Sequence, residues 1–472
     1  MTKIVLISPP FGEEESAGKT ESMKAVLNII PPLGLCYIAA VLEKNGYDVS
    51  IIEGQLDMTY ETVIKEAIRQ KPDVVGMSIL TPMLGMVKKI AQNIKKELPD
   101  TLVVVGGSHV TALPAQTLQA ECFDAAIIGE GEYTFLDFVN DHEKNNSANL
   151  AQIKGLAFKK GGHVVINERR EFIKNLDELP FPARHLLPPL SKYRPTPASY
   201  RKLPATHMMT SRGCPSLCTF CDRSIFGSTY RERSPENVVA EVEELVNKYK
   251  IKEIKFFDDT FTLNKKRLYS IFALMKERGI NIPWTCLTKA NRVDEEMLTA
   301  MKNAGCWQVL FGFESGNPQV LASLKKGTTI QDNQRAADLC RKVGLSMRID
   351  YLCGTPMETM ETMRQTLEFA KKINSDFAHF NKFTPLPGTE LYHNLLKEGY
   401  KFDIEKYCSQ LDHSEVIYAP SSVDKQEYAK FLDKSYKEYY LRPKYIAKQL
   451  ANIRSIEDMK RMWRGFRAIT QL

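Results

Sequence analysis

Short runs of β-branched residues alternate twice along this chain with amphipathic stretches of helical period, and that double alternation narrows the folds open to it. The first series occupies residues 1–140. Its candidate strands are 3–8, 48–52, 73–79, 102–106 and 124–128, with helical patterns over 33–45, 60–69 and 86–98 between them. Strands that read as unbroken apolar runs separated by helices predict a parallel sheet covered on both faces. Five such units make an α/β, flavodoxin-like doubly wound domain. The second series, within 204–390, has candidate strands at 206–211, 253–257, 285–288, 308–313, 347–352 and 377–383. Helical patterns at 235–248, 265–278, 295–303, 331–343 and 361–371 separate them. Six βα units are too few for a closed eight-stranded barrel, so a partial (βα)6 TIM-type barrel is expected. Residues 141–203 break the rhythm, being polar and then proline-rich (LDELPFPARHLLPP, YRPTP), and read as a semi-rigid linker. Residues 391–472 read as a helical C-terminal region.

At 472 residues the chain is too long for one hydrophobic core. Its net charge of +7 permits an anionic substrate without demanding nucleic acid, and no basic patch is studded with aromatics in the RNA-binding manner. The opening run, MTKIVLISPPFGEEE, is too short in apolar residues for a signal peptide, and no stretch approaches a membrane span. Ten scattered cysteines in such a chain mean buried thiols or metal ligands, and the expected compartment is the cytoplasm.

Three of those cysteines stand apart. MTSRGCPSLCTFCDR places Cys214, Cys218 and Cys221 at C-x3-C-x2-C spacing just after the first strand of the second series. Three thiolates on one short loop can ligate three irons of a [4Fe–4S] cubane and leave the fourth iron open. A structural zinc site would need a fourth ligand at suitable spacing, and there is none here. Three buried thiols are the other alternative, but Pro215, Thr219 and Asp222 make a poor core segment.

This loop, with Phe220 before its last cysteine, resembles the signature of the radical S-adenosylmethionine superfamily, and the resemblance runs through 205–390. It implies a [4Fe–4S] cluster on Cys214, Cys218 and Cys221 and S-adenosylmethionine as cofactor. FFDDTF (256–261) then corresponds to polar groups near the methionine moiety, with Asp258 and Asp259 as catalytic candidates. In GFESG (312–316), Glu314 is similar to the family's ligand to the methionine or ribose end, with Ser315 beside it. YLCGTP (351–356) and FTPLPGT (383–389) bring Gly354 and Pro385 to the adenine pocket. All lie at C-terminal strand ends, where a βα barrel builds its active site. Taken singly, each motif could also be turn chemistry or a helix cap.

The first domain lacks Gly-x-Gly-x-x-Gly after its first strand, which disfavours a dinucleotide. Glycine-bearing segments follow its later strands instead: Gly76, Ser78 and Thr81, then Gly106 and Gly107, then Gly129 and Gly131 with Glu130 between them. Adjacent small residues leave a slot for a ligand's tail, and a bulky side chain at Gly107 is expected to fill it. With PPLG at 31–34, the set resembles the cobalamin-binding domain joined to many radical S-adenosylmethionine enzymes. The histidine motif of that domain is missing: residues 8–12 read SPPFG, and the first histidine is His109. Either cobalt lacks a protein imidazole or the domain has lost its cobalamin. His109 itself reads as a loop hydrogen-bonding residue.

The whole arrangement is similar to the subgroup of anaerobic magnesium-protoporphyrin ester cyclase and the hopanoid-modifying enzymes. The resemblance implies a 5′-deoxyadenosyl radical that abstracts hydrogen from an unactivated carbon of a small-molecule or lipid-like substrate, with C-methylation the expected outcome. It also implies an electron donor such as flavodoxin or ferredoxin. Radical cyclisation or rearrangement, and a non-catalytic cobalamin or redox sensor, are the alternatives. In 441–472 basic residues from Arg442 to Arg467 interleave with apolar ones, a pattern suited to peripheral membrane contact or to a helix packed on the barrel with a solvated basic face.

Overall fold

The computed structural model describes residues 2–10, 28–56, 58–409 and 416–451, together with Met459, Met462 and Trp463. The first sheet contains β1 (Lys3–Ser8), β2 (Asp48–Glu53), β3 (Val74–Ser78), β4 (Leu102–Gly106), β5 (Ala125–Ile127), β6 (Leu156–Lys160) and β7 (His163–Ile166), in the order β2-β1-β3-β4-β5-β6-β7. β1 to β5 run parallel, as their apolar character requires: Val5, Ile7, Val75, Val103 and Val105 are all fully buried. Helices Leu33–Lys44 and Glu132–Asn145 cover one face through Leu35, Ala39, Phe135 and Phe138. Helices Tyr60–Gln70 and Leu84–Glu97 cover the other through Val63, Ile64, Val87 and Ile90. Each such side chain contributes about 1.5–3 kcal/mol by leaving water.

The expected linker is partly sheet. β6 and β7 extend the first sheet with antiparallel strands, and residues from there to 203 form a strap of 3-10 turns. The hairpin turns on Gly161 (φ +58) and Gly162 (φ +80), two residues that accept the left-handed backbone a tight two-residue turn needs.

The second sheet is the expected open barrel. β8 (Ala205–Met208), β11 (Glu253–Phe256), β12 (Trp284–Thr288), β13 (Cys306–Glu314), β14 (Ser346–Cys353) and β15 (Phe377–Lys382) are all parallel, and a separate two-stranded ribbon, β9 (Ser211–Arg212) with β10 (Arg231–Glu232), flanks the cysteines. β8 and β15 are the edge strands of this sheet, and Tyr436 and Tyr440 hydroxyls accept from Phe380 N (3.1 Å) and Ala378 N (2.9 Å) along the outer edge of β15. Its helices start on side-chain caps: Ser234, Asn264, Asp294, Thr329 and Thr359 each accept a backbone N–H from the first turn, worth about 1 kcal/mol apiece. Helices Glu390–Lys397, Lys425–Tyr440 and Pro443–Ala451 follow.

In the C-terminal region Arg442 Nη1 donates to Lys371 O (2.8 Å), and Lys448 Nζ pairs with Asp376 Oδ1 (2.9 Å). These two cations therefore serve packing against the barrel. Arg454, Lys460, Arg461, Arg464 and Arg467 lie outside the described residues, as do Phe11 and Gly12. No helix among the described residues is long and apolar enough to cross a membrane.

Candidate active site

β8 and the β9–β10 ribbon deliver the cysteine loop. Gly213 has φ +85, and a Cβ there would stand 2.2 Å from Thr229 O, so only glycine lets the chain turn back so closely before Cys214. Thr219 pins the loop through its backbone: its N–H donates to Leu324 O (3.0 Å) and its carbonyl accepts from Leu391 N (3.0 Å). Asp222 closes it by accepting from Ser224 N (2.8 Å) and Ser224 Oγ (2.9 Å). Cys214 and Cys218 are half-buried, and Cys221 sits at the exposed rim.

The three thiols act on one another. Desolvation, then Asp259, Cys218 and Cys214, push the Cys221 thiol up to about 12. Desolvation also raises Cys218, opposed by Lys326 and Lys289. Among the described residues no three ligating groups approach closely enough to hold a single ion. Three thiols on one short loop, with Lys326 and Lys289 acting on Cys218, are a fitting donor set for an anionic cluster.

The strand-end acids divide into different tasks. Asp258 is buried, and its Oδ1 accepts from Thr210 N (2.9 Å), Thr210 Oγ1 (3.0 Å) and Ser211 Oγ (2.6 Å). It thereby locks the turn from which the cysteine loop departs, while Oδ2 has no partner. Desolvation raises its pKa. Asp259 is the exposed member of the pair and the one that acts on Cys221.

β13 ends in Glu314 at φ +60, a left-handed backbone costing about 1–3 kcal/mol for a residue other than glycine. The β13–β14 register shifts between Gly312 and Glu314, a bulge that re-aims the side chain. Glu314 is then ion-paired with Lys326, both groups buried, over Gly312, where a Cβ would come within 2.1 Å of Glu314 Oε1. Lys326 Nζ lies 5.9 Å from the centroid of the Phe220 ring. Glu314, Lys326, Lys289, Phe220 and Asp259 thus gather round the cysteines. Ser315 does not take part in that gathering: it is fully buried, with Oγ bonded to Thr366 Oγ1 (3.1 Å) and accepting from Asn317 N (3.1 Å). Gly354 makes room for Tyr428, whose hydroxyl would be 2.3 Å from a Cβ, and Pro385 O accepts from Tyr407 OH (2.7 Å). Both positions seat the C-terminal region against the strand ends.

The first sheet offers a cleft enclosing about 860 Å³, part of it open to solvent. Gly76, Ser78, Gly106, Gly107, Gly129, Glu130 and Gly131 line it from the strand ends, and Met209, Arg212, Ile225 and Phe226 line it from the flanks of the cysteine loop. The glycines serve different ends. A Cβ on Gly106 would meet only Ile127, at 3.7 Å, so its missing side chain leaves room in the cleft. Gly107, at φ +99 and ψ −176, turns its missing side chain toward Ile79 O and Ser78 Oγ, each 2.8 Å from a Cβ, so it serves the turn. The expectation that bulk at Gly107 fills the slot is corrected accordingly. Thr81 does not line the cleft; its hydroxyl meets His109 Nδ1 at 3.2 Å. His109 is buried, and desolvation followed by Lys88 lowers its pKa to about 4. A slot of small residues with room beside Gly106 fits the tail of a cobalamin.

Buried ion pairs join the two halves. Arg212 Nη1 donates to Glu130 Oε1 (2.8 Å) and Nη2 to Glu132 Oε1 (2.6 Å), while Arg231 Nη1 donates to Glu130 Oε2 (2.9 Å). Sequence reasoning included Glu130 but missed Arg212, Arg231, Glu132, Lys289 and Lys326, which reach the site from remote positions.

Residues 23–139 match the B12 binding domain family, and 208–370 match the Radical SAM superfamily. An uncharacterized methyltransferase of Pyrococcus horikoshii is 37% identical over 95% of this chain and 94% of its own length. The anaerobic magnesium-protoporphyrin IX monomethyl ester cyclase of Rubrivivax gelatinosus is 29% identical over 88% of this chain and 75% of its own. The cobalamin-dependent S-adenosylmethionine radical enzyme OxsB, solved with aqua-cobalamin and S-adenosylmethionine bound, shares the fold at TM-score 0.75, with 19% identity over 98% of this chain and 70% of its own. The chain therefore belongs to the cobalamin-binding radical S-adenosylmethionine enzymes, whose cofactors are a [4Fe–4S] cluster, S-adenosylmethionine and cobalamin.

Proposed function

We propose that this protein C-methylates a small-molecule substrate at an unactivated carbon. The observation that carries the reading is the shared wall: the cleft of the first sheet is lined on its far side by Met209, Arg212, Ile225 and Phe226, which flank the cysteine loop. Cys214, Cys218 and Cys221 would hold the cluster. Glu314 and Asp259 would face the cationic end of S-adenosylmethionine, while Asp258 acts as a positioning residue for the loop. Gly106, Gly129 and Gly131 would admit cobalamin by leaving space, with no imidazole from residues 8–12. When bound, these groups supply an electron for cleavage of the sulfonium, hydrogen abstraction by the adenosyl fragment, and a methyl group for the resulting carbon radical. The chain's own part is to hold the reactants in register and to exclude water from between them. The names of two further relatives, a cytidylyl-2-hydroxyethylphosphonate methyltransferase and a bacteriochlorophyllide d C-8(2)-methyltransferase, support a methyl acceptor of small-molecule size. The electron would come from a donor such as flavodoxin or ferredoxin.

The test uses anaerobically reconstituted protein, dithionite and S-adenosylmethionine carrying a deuterated methyl group. About four irons per chain are expected, with cobalamin uptake, 5′-deoxyadenosine formation and deuterated methylcobalamin by mass spectrometry. Replacing all three cysteines by alanine should remove iron and 5′-deoxyadenosine together. Normal iron in that variant refutes the cluster assignment, and wild-type protein that takes up no cobalamin refutes methyl transfer.

A further inference from the structure

Strand register places a row of polar side chains on the concave face of the open barrel. His207 of β8 is opposite Lys255 of β11, Lys255 opposite Thr285 of β12, and Thr285 opposite Gln308 of β13. Residues paired across a parallel sheet share a face. The alternate positions Met208, Ile254, Cys286 and Val309 belong to the apolar core beneath the helices, so this row points the other way. Arg348 and Asp350 on β14 and His379 on β15 lie on the same face by the same alternation.

Polar groups in such a position should find partners, yet many here have none. Gln308 is fully buried with both amide atoms unpartnered, Thr285 is fully buried with its hydroxyl unpartnered, and His207, 5% exposed, has an unpartnered Nδ1. Among the described residues Lys255 makes no ion pair, and its ammonium lies 5.1 Å from the centroid of the Phe257 ring. Arg348 Nη1 donates to Ser199 Oγ (2.8 Å), and Nη2 meets His379 Nδ1 (3.2 Å), while its Nε is unpartnered and stands 3.6 Å from Asp350 Oδ1.

The charges do not balance. Burial first, then Arg348, brings Lys255 down to about 7, with Asp350 opposing. Asp350 offsets one of the two cations. Glu253, the other acid on this face, has its oxygens committed to Arg201 N (2.8 Å), Lys202 N (2.7 Å) and Trp307 Nε1 (2.8 Å), and burial raises it to about 7. Burial keeps His207 and His379 neutral, at about 3 and about 4. A narrow crevice adjoins the row at β8, lined by His207, Lys255, Glu253 and Phe257 and by Ser199 of the strap.

We infer that this concave face binds an oxyanion of the substrate, a carboxylate or a phosphate, between Lys255 and Arg348, with Gln308, Thr285 and His207 as neutral hydrogen-bond partners. The inference rests on the proposed function only in taking the barrel interior as the substrate's place, and it names the substrate class: an acid that presents this group while its reacting carbon lies toward the cysteine loop.

The probes are inorganic phosphate and acetate, titrated separately into anaerobic, cluster-loaded protein by calorimetry and by 31P line broadening for phosphate. Saturable binding of at least one is expected. Phosphate alone assigns a phosphate head, acetate alone a carboxylate. Lys255→Met should weaken binding roughly thirtyfold or more, as loss of a charged partner to a bound anion does. Lys255→Arg should restore most of it, and Arg348→Met is the second, independent variant. Iron content reports whether each variant has kept its fold. No saturable binding of either anion by the wild type, or unchanged affinity in both methionine variants, overturns the inference. Cobalamin uptake and 5′-deoxyadenosine formation are measured separately, so failure of the proposed function is distinct from failure of the anion site.

Discussion

Two neighbouring glycines allow the cobalamin cleft to be tested without confusing lost binding with lost folding. At Gly107 the backbone, φ +99 and ψ −176, lies where essentially only glycine goes. A leucine there meets about 1–3 kcal/mol of backbone strain and about 1–3 kcal/mol of crowding against Ile79 O and Ser78 Oγ, both 2.8 Å from a Cβ. A middle value of about 4 kcal/mol should lower the apo-protein melting temperature by roughly 8–16 °C for a domain of this size. At Gly106 a Cβ has 3.7 Å to Ile127 and no positive φ to satisfy. Leucine there should leave the apo melting temperature unchanged or raise it slightly, because glycine in a strand carries an entropic cost of about 0.5–1 kcal/mol. Its side chain then stands in the cleft. If a bound cofactor must push against it, about 1–3 kcal/mol is lost, or roughly 5- to 150-fold in Kd. Equilibrium dialysis of cobalamin with apo-protein thermal melts reads both effects. Gly106→Leu protein that binds cobalamin with wild-type Kd removes the cleft as its site. Gly107→Leu protein that melts like the wild type refutes the backbone argument.

Two further outcomes follow from the ion pairs. Glu314→Ala should raise the Kd for S-adenosylmethionine roughly thirtyfold or more while iron content holds, and an unchanged Kd would leave Glu314 as the partner of Lys326 alone. Arg212→Met strands Glu132 in a buried setting, while Glu130 keeps Arg231, and should cost about 3–5 kcal/mol by chemical denaturation. Combined with Glu132→Gln, the loss should be smaller than the sum of the single losses; strict additivity would refute a shared network.

The parallel strands of the first sheet are legible in the sequence because strands covered by helices on both faces must be apolar, and Val74–Ser78 or Leu102–Gly106 can be little else. β6 and β7 escape that reading because they are antiparallel and lie toward the edge, with lysines at 159 and 160 and half-buried valines at 164 and 165. The signal was present in Gly161-Gly162 between two short β-rich runs. Of the site, the cysteine loop is legible because its spacing is local. Thr81, Asp258 and Gly354 show what a strand-end motif leaves open: it fixes where a residue sits but not the side to which the chain then turns. Thr81 turns to His109, Asp258 to Thr210, and Gly354 to Tyr428.

The second sheet carries a further signal that periodicity alone could have raised. A strand covered by helices on one face and facing a barrel interior on the other keeps its apolar residues at every second position. What occupies the alternate positions tells what the interior holds. In β13 the interior positions Gln308, Leu310 and Gly312 are mostly apolar or small, but β11 offers Glu253 and Lys255, β14 offers Arg348 and Asp350, and β15 offers His379 and Asn381. Burying charge costs several kcal/mol unless it is paired. A barrel selected for stability alone would fill these places with valine and leucine. Lys255 and Arg348 both face the concave side, and Asp350 is the acid there whose oxygens are not already committed to backbone or indole donors, an imbalance that the proposed oxyanion would offset.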